Sequence, residues 1–434
     1  KDFGENLTIS AQGFYQDFEE IRNSTDFFGL STRATLNPLL GGALAPGNVG
    51  RFKSDQINDN ELYGLQADAN LKFETNDLTN SLVIGFDIRR EEEKFNNIIN
   101  VAQDISLINP TFGLPLPPVP PPFQNIIDDR ERKIEQYGVF IKDRLSLMDD
   151  KLNLLGGIRY DEANLEFSSL STATGAPVTQ DFDFDESELS PSAGAVFEVR
   201  EGFSIYGSYV ESFEAPDPAN GNAILGNKPP EPELAEQWEA GIRWNPSENW
   251  QATLAYFNIT KENIIASDPF GNTIQIGEQN SSGVEFEVRG RPMPQLELLG
   301  SVTYTDTEIE EGFGTNPLTG ANTNLSGNEI AGTPEWGASL AAQYTFARNS
   351  RFAGFSYGGS IIYRGQREGD NFGTFELDDY TRVDVNAAYS YKNWKARVAV
   401  RNLFNEDYFQ NANTSVAALP GAPTFGEFSL SYEF

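Results

Sequence analysis

The chain has 434 residues, with 31 Lys plus Arg against 64 Asp plus Glu, a formal net charge of −33, and neither His nor Cys. That balance argues against a nucleic-acid partner, because neutralising phosphates takes a basic face. Without Cys there are no disulfides, thiolate nucleophiles, iron–sulfur clusters or thiolate zinc sites. Without His there is no Ser-His-Asp triad, no His-Glu-x-x-His metalloprotease motif and no ordinary haem ligation. Carboxylate, Lys, Tyr or Ser–Lys catalysis is left, or none; no catalytic residue and no metal ligand is singled out, and the chain reads as a non-enzyme.

The 39 Gly, 32 Phe and 16 Tyr, with only two Met, lean toward strands and turns. The N-terminal KDFGENLTIS has neither a cationic start nor an apolar core, so it is not a signal peptide. The nearest thing to an apolar helical span, Ile105 to Phe123, carries seven prolines and cannot be one.

Along the chain the dominant signal is period two, which predicts strands at 6–22, 58–73, 78–96, 130–148, 151–168, 186–200, 202–213, 233–246, 249–265, 279–290, 295–309, 332–346, 352–366, 378–391, 394–404 and 423–434. Between 65 and 73, Leu65, Ala67, Ala69, Leu71 and Phe73 alternate with Gln66, Asp68, Asn70 and Lys72. At the end of the chain, Phe428, Leu430, Tyr432 and Phe434 alternate with Glu427, Ser429, Ser431 and Glu433. Connections alternate as well. Tight ones such as Asp149–Asp150, Arg200–Gly202 and Lys392–Asn393 are followed by long ones such as Asn23–Ile57, Asn97–Asp129 and Ser169–Asp185. Outer-membrane barrels keep that rhythm, with short turns on one side and long loops on the other, whereas a β-sandwich has no reason to. Aromatics near strand ends (Trp244, Trp250, Trp336, Trp394, Tyr160, Tyr304) fit an interfacial girdle, although each singly also fits a packed core. The fold class expected is all-β: a transmembrane antiparallel up-and-down barrel.

Ordered phrases carry a family resemblance. EQYGVFIKDRLSL, LNLLGGIRYDEANLEF, LSPSAGAVFEV, SIYGSYVESFEAP, EQWEAGIRWN, NSSGVEFEVRGRP, GNEIAGTPEWGASL, YTRVDVNAAYSY, RNLFNEDYF and PGAPTFGEFSLSYEF run from the fourth strand to the last. The chain resembles the C-terminal part of TonB-dependent outer-membrane receptors, most closely the ferrichrome-type siderophore receptors. The resemblance implies a 22-stranded barrel of which about sixteen strands are present, residues 1–434 being barrel domain and the plug and first strands absent. The first and last strands are then expected to leave a seam or to pair artificially, since bare strand edges are sticky. It further implies a receptor in the outer membrane of a Gram-negative-type bacterium, a monomer surrounded by outer-membrane lipid. The ferric siderophore would be cargo, with no resident cofactor, and the TonB complex would engage the absent N-terminal part.

Two aromatics match the family's ligand-holding positions: Phe213 in YVESFEAP, at a strand's extracellular end, and Phe28 in STDFFGLS, in the long loop after the first strand. A third such position carries Asn413, which, with the missing loop cysteines, argues against ferrichrome itself. Aromatic faces suit a chelate whose iron is already saturated, because they recognise bulk at little rotamer cost. Pro110 to Pro122 could form a stiff wall at the barrel mouth, or an exposed loop without a role. The acidic run Asp181, Asp183, Asp185, Glu186, Glu188 could collect calcium but reads better as a solvated loop leading into a strand. Arg89 to Lys94 reads as a self-compensating charged strand end, and Gly354, Gly358 and Gly359 as relief of strand crowding. The alternatives are a sixteen-stranded diffusion porin, an outer-membrane phospholipase or protease, and a soluble β-sandwich adhesin.

Overall fold

The computed structural model describes residues 6–30, 35–36, 43–44, 48–75, 78–106, 126–172, 177–215, 231–267, 273–316, 320–412 and 418–433. These form one antiparallel meander of sixteen strands, each hydrogen-bonded to the next in chain order, and four two-stranded ribbons in the connections, with no helix among the described residues. The strands are β1 (Leu7–Leu30), β2 (Asn48–Glu74), β3 (Leu78–Ser106), β4 (Ile126–Leu147), β5 (Leu152–Ser171), β6 (Val178–Arg200), β7 (Phe203–Glu214) and β8 (Glu233–Ser247). They continue with β9 (Trp250–Ser267), β10 (Thr273–Met293), β11 (Leu296–Glu311), β12 (Trp336–Thr345), β13 (Phe355–Arg364), β14 (Tyr380–Tyr391), β15 (Trp394–Arg401) and β16 (Phe425–Tyr432). Every strand expected from alternation is present.

Alternation places apolar residues on one face, and the register lines them up from strand to strand. One row runs Ile9–Ala69–Ile84–Ile141–Ile158, and the next Ala11–Ala67–Phe86–Val139–Tyr160–Leu189. These side chains stay exposed although large and apolar, Val139 at 54% and Leu189 at 49%, which suits hydrocarbon contact and not water. On β2 the apolar set runs from Tyr63 to Phe73, and ten residues at ~3.3 Å each, tilted ~40°, give a belt about 25 Å tall. Trp238 stacks near Tyr209 (4.3 Å), Trp336 near Tyr304 (5.0 Å) and Trp394 near Tyr432 (4.8 Å), so the girdle is built from cross-strand pairs.

The tight turns exist because a few residues accept left-handed backbone. Met148, Asp149 and Asp150 all have positive φ, and at Gly202 (φ +70) a Cβ would lie 2.3 Å from the Asn245 carbonyl oxygen.

The long connections differ from expectation. β1 runs to Leu30 and β2 starts at Asn48, β3 runs to Ser106, and β6 starts at Val178, so much of what read as loop is strand. Phe28 and the acidic run therefore stand on strands, not in loops. The reason is physical: beyond the bilayer a paired strand needs no apolar outer row, because water solvates its outer face. Ion pairs replace the apolar rows there. Arg132 bridges Glu91 (3.1 Å) and Glu93 (2.8 Å) on one face, and Arg90–Glu135 (3.1 Å) and Lys133–Glu166 (3.1 Å) lie on the other. The charged segment 89–94 is thus self-compensating, as its sequence suggests.

The sheet does not close. β1 pairs only with β2, and β16 only with β15, among the described residues. Residues 8–23 of β1 and all of β16 are exposed, so both edges are open.

Candidate functional site

The face opposite the lipid rows is polar and is the side a barrel turns inward. At the height of the apolar belt it carries a cross-strand charge cluster. Arg159 on β5 reaches over β4 to make a bidentate pair with Asp87 on β3 (2.7 and 3.0 Å) and also binds Asp161 (2.6 Å). Gly138 makes this possible: it is paired with both Asp87 and Asp161, and a Cβ there would meet Arg159 Nη2 at 2.0 Å. Further round, Tyr206 donates to Glu239 at 2.7 Å across β7–β8.

Above the belt the same inward face turns apolar. Ile134, Leu165 and Phe184 are successive cross-strand partners on β4, β5 and β6, and Leu165 is 1% exposed, Phe167 2%. Beside them is a cavity of about 250 Å³ lined by Asn58, Glu93, Phe95, Arg130, Arg132 and Phe167, with the Arg130 guanidinium 5.5 Å from the Phe95 ring centre. Two aromatic faces and two guanidiniums on an inner wall offer contacts for a bulky, partly polar ligand.

Phe213 is half-buried at the end of β7, in register with Leu234. Uninterrupted alternation gives it the face of Tyr209 and Trp238, so it reaches a ligand only over the rim. The backbone of Phe28 pairs with Gly50, thirteen residues beyond Tyr15 in the girdle row, which at ~3.3 Å per residue is about 40 Å along the strand. Five strands separate β1 from β7, so the sheet does not bring the two aromatics together. Asn413 and Pro110 to Pro122 lie outside the described residues. The acidic run shows no grouping able to hold a metal among the described residues; Asp181, Asp183 and Asp185 alternate outward while Glu186 and Glu188 face inward on β6. Burial and the charges of Glu231 and Asp185 push the Glu186 carboxyl above its ordinary value.

Sequence reasoning missed a second inner-wall feature near the end of β13 and the start of β14, where Arg364, Arg367 and Arg382 converge. The signal was available in YRGQRE and YTRVD, three arginines within nineteen residues of an acidic chain. Their surroundings are fixed by Asn402, which is 1% exposed. Its amide donates to the Glu406 and Ala422 carbonyls (2.8 and 3.0 Å) and accepts from the Glu406 N–H (2.8 Å), and its own N–H donates to Asp384 (2.9 Å). This is the structural role of the phrase RNLFNEDYF.

A family model described as TonB dependent receptor-like, beta-barrel, matches residues 1–403. Among curated proteins, the chain is 27% identical to the ferrichrome outer membrane transporter/phage receptor of Escherichia coli K12, across 97% of this chain and 55% of that protein. It is 26% identical to the metal-pseudopaline receptor CntO of Pseudomonas aeruginosa (76% of this chain, 44% of that protein) and 24% to the ferrioxamine B receptor of Salmonella typhimurium (87% and 50%). The chain therefore spans about half the length of these relatives. Among solved structures, the siderophore receptor PiuA of Acinetobacter baumannii superposes with a TM-score of 0.80 at 22% identity, covering 99% of this chain and 62% of that one. The ferric-catecholate import receptor Fiu of E. coli K12 gives 0.78 at 19% identity, covering 100% and 62%. These two likenesses concern the fold.

Proposed function

Because the chain belongs to the TonB-dependent receptor-like β-barrel family, we propose that it is barrel wall of an outer-membrane receptor that takes up ferric siderophores or a similar metal chelate, energised through TonB. The observation that carries this is the sixteen-strand meander with its lipid belt, matched to that family over residues 1–403. The curated relatives are receptors or transporters named for ferric or metal chelates, and none of their names describes a porin or an enzyme. In this reading the belt sits in outer-membrane lipid, the barrel is a monomer, and the ligand is cargo that arrives already chelated.

The aromatic-lined inner wall around Phe95 and Phe167 supports contact with a bulky chelate. Phe213 at the rim and Phe28 on the long β1–β2 hairpin are the further aromatics we assign to capture. The test is quenching of tryptophan fluorescence by a panel of ferric hydroxamates and catecholates added to the detergent-solubilised chain. Alongside it, uptake of radioactive iron would be followed in cells with and without TonB. Binding of at least one chelate, weakened about tenfold or more by Phe213→Ala or Phe28→Ala, is the expected result. Unchanged affinity in both variants removes those two residues from the site; no binding to any chelate, with no TonB-dependent uptake, overturns the reading.

A further inference from the structure

The end of β13 and the start of β14 hold an unusual concentration of positive charge. A cavity of about 500 Å³ opens there on the inner wall, and among its lining are Arg364, Arg367, Arg382, Tyr380, Tyr408 and Gln410. Among the described residues no carboxylate lines it, in a chain where acidic residues outnumber basic ones 64 to 31. Register puts Arg364 opposite Tyr380 and Arg382 opposite Ile362, so both arginines and the tyrosine share the inward face.

The three guanidiniums are held differently. Arg367, 4% exposed, is fixed entirely by carbonyls: Nη2 donates to Phe409 O (2.7 Å) and Gln410 O (3.3 Å). Its charge thus has dipoles around it but no counter-ion among the described residues, and burial together with the neighbouring Arg364 charge holds its pKa below the ordinary guanidinium value. Arg382 donates to Tyr408 Oη (3.3 Å) and to Asp384 (3.1 Å), while its Nε is buried without an acceptor. Arg364 is exposed at the end of β13 and makes no ion pair among the described residues. Tyr380 and Tyr408 stack at 4.2 Å, and Arg367 lies 5.8 Å from the Tyr380 ring centre, so the floor of the cavity is rigid. Among the described residues one carboxylate, Asp384, pairs with one of the three guanidiniums, which leaves a positive site, walled by aromatics, on the inner face. Guanidiniums favour oxyanions with two coplanar oxygens, which they bind through paired N–H groups.

We propose that this cavity is a subsite for a carboxylate-bearing ligand, with Arg364 and Arg382 as direct contacts and Arg367 as a fixed charge behind them. The subsite deepens the receptor reading by making the cargo an anionic chelate or one with a carboxylate arm, and it rests on that reading for the cargo alone. Anion capture itself is testable without iron.

The experiment is calorimetric titration of the solubilised full chain with tricarballylate, a metal-free tricarboxylate, and with its neutral triamide. Tricarballylate is expected to bind about tenfold or more tightly than the triamide, and Arg364→Gln and Arg382→Gln each to weaken it by about tenfold. Arg289→Gln, which removes an arginine bonded to Gln251 on the β9–β10 wall, is expected to leave it unchanged and so excludes a general charge effect. Because Arg364 is exposed and unpaired, its replacement leaves the fold intact, and its result stands even where Arg382→Gln perturbs packing. Equal affinity for the two probes, or tricarballylate affinity unchanged by Arg364→Gln, overturns the proposal. Tricarballylate binding in a chain that takes no ferric chelate upholds the subsite and removes the receptor reading. Ferric hydroxamate binding without it does the reverse.

Discussion

Asn402 gives the most direct test of how the last loop shapes the inner wall. Replacing it with Ala removes three hydrogen bonds, to Glu406 O (2.8 Å), Ala422 O (3.0 Å) and from Glu406 N (2.8 Å). Each is worth about 1 kcal/mol net, discounted because Glu406 and Ala422 are exposed and water can replace part of the loss. The residue also has φ +51, a conformation Asn tolerates and Ala occupies at a cost of about 1 kcal/mol. The sum is about 3 kcal/mol for Asn402→Ala and about 2 kcal/mol for Asn402→Gly, since glycine loses the bonds but not the backbone fit. Asn402→Asp keeps the acceptor and loses both donors, placing a charge against two carbonyl oxygens, and should be at least as damaging as Ala. Amide hydrogen exchange of residues 402–424 in lipid vesicles reads this locally, and urea unfolding reads it globally. Because the loop carries Tyr408, loosening it should also weaken tricarballylate binding. Exchange in Asn402→Ala within about twofold of the parent would refute the reasoning, as would a Gly variant less stable than the Ala one.

Three further outcomes follow from the wall itself. Gly138→Val should displace the Arg159 guanidinium and break its pair with Asp87, costing about 1–3 kcal/mol because the arginine is a third exposed; a Gly138→Val, Arg159→Ser double variant should recover part of the loss in a thermodynamic cycle. Ile84→Arg, in the middle of the lipid rows, should cost about 2–4 kcal/mol in bilayers, whereas Gln66→Arg on the inner face should cost less than about 0.5 kcal/mol; equal costs would mean the faces are assigned the wrong way round. Burial and the charges of Glu310, Glu262 and Glu311 raise the Glu278 carboxyl above its ordinary value. The folded form then holds its proton more tightly than the unfolded chain does. Stability of the β10–β11 pairing at its open end, where Glu278 faces Glu311, should therefore fall as pH rises from the usual glutamate range through the raised folded value. Glu278→Gln should remove that slope, measured as the rate of limited proteolysis against pH.

How far the sequence reaches can be argued from particular residues. Alternation between 65 and 73 places Leu65 and Phe73 outward and Gln66 and Lys72 inward, and the register of β2 with β3 agrees. Period two is legible wherever one face meets lipid and the other water, because the two solvents impose opposite chemistry on adjacent residues. The same rule fails past the girdle. Phe28 stands on paired strand, and from Asp181 to Asp185 carboxylates face water where lipid-facing residues would otherwise stand, so paired strand reads as loop although Phe184 is buried on the inner face.

Composition and alternation by themselves determined the all-β class, the sixteen strands, their lipid-facing residues and the exclusion of His- and Cys-dependent chemistry. Only the folded sheet decided which distant charges meet. Arg159 finds Asp87, 72 positions away, because two intervening strand pairings put Gly138 between them. Arg367 meets Phe409 and Gln410 across 42 and 43 positions, and Arg382 meets Tyr408 across 26. Local pattern depends on each residue's nearest neighbours and solvent, which the sequence contains. Side-chain convergence depends on register between strands and on how loops pack over them, which is set by long-range pairing.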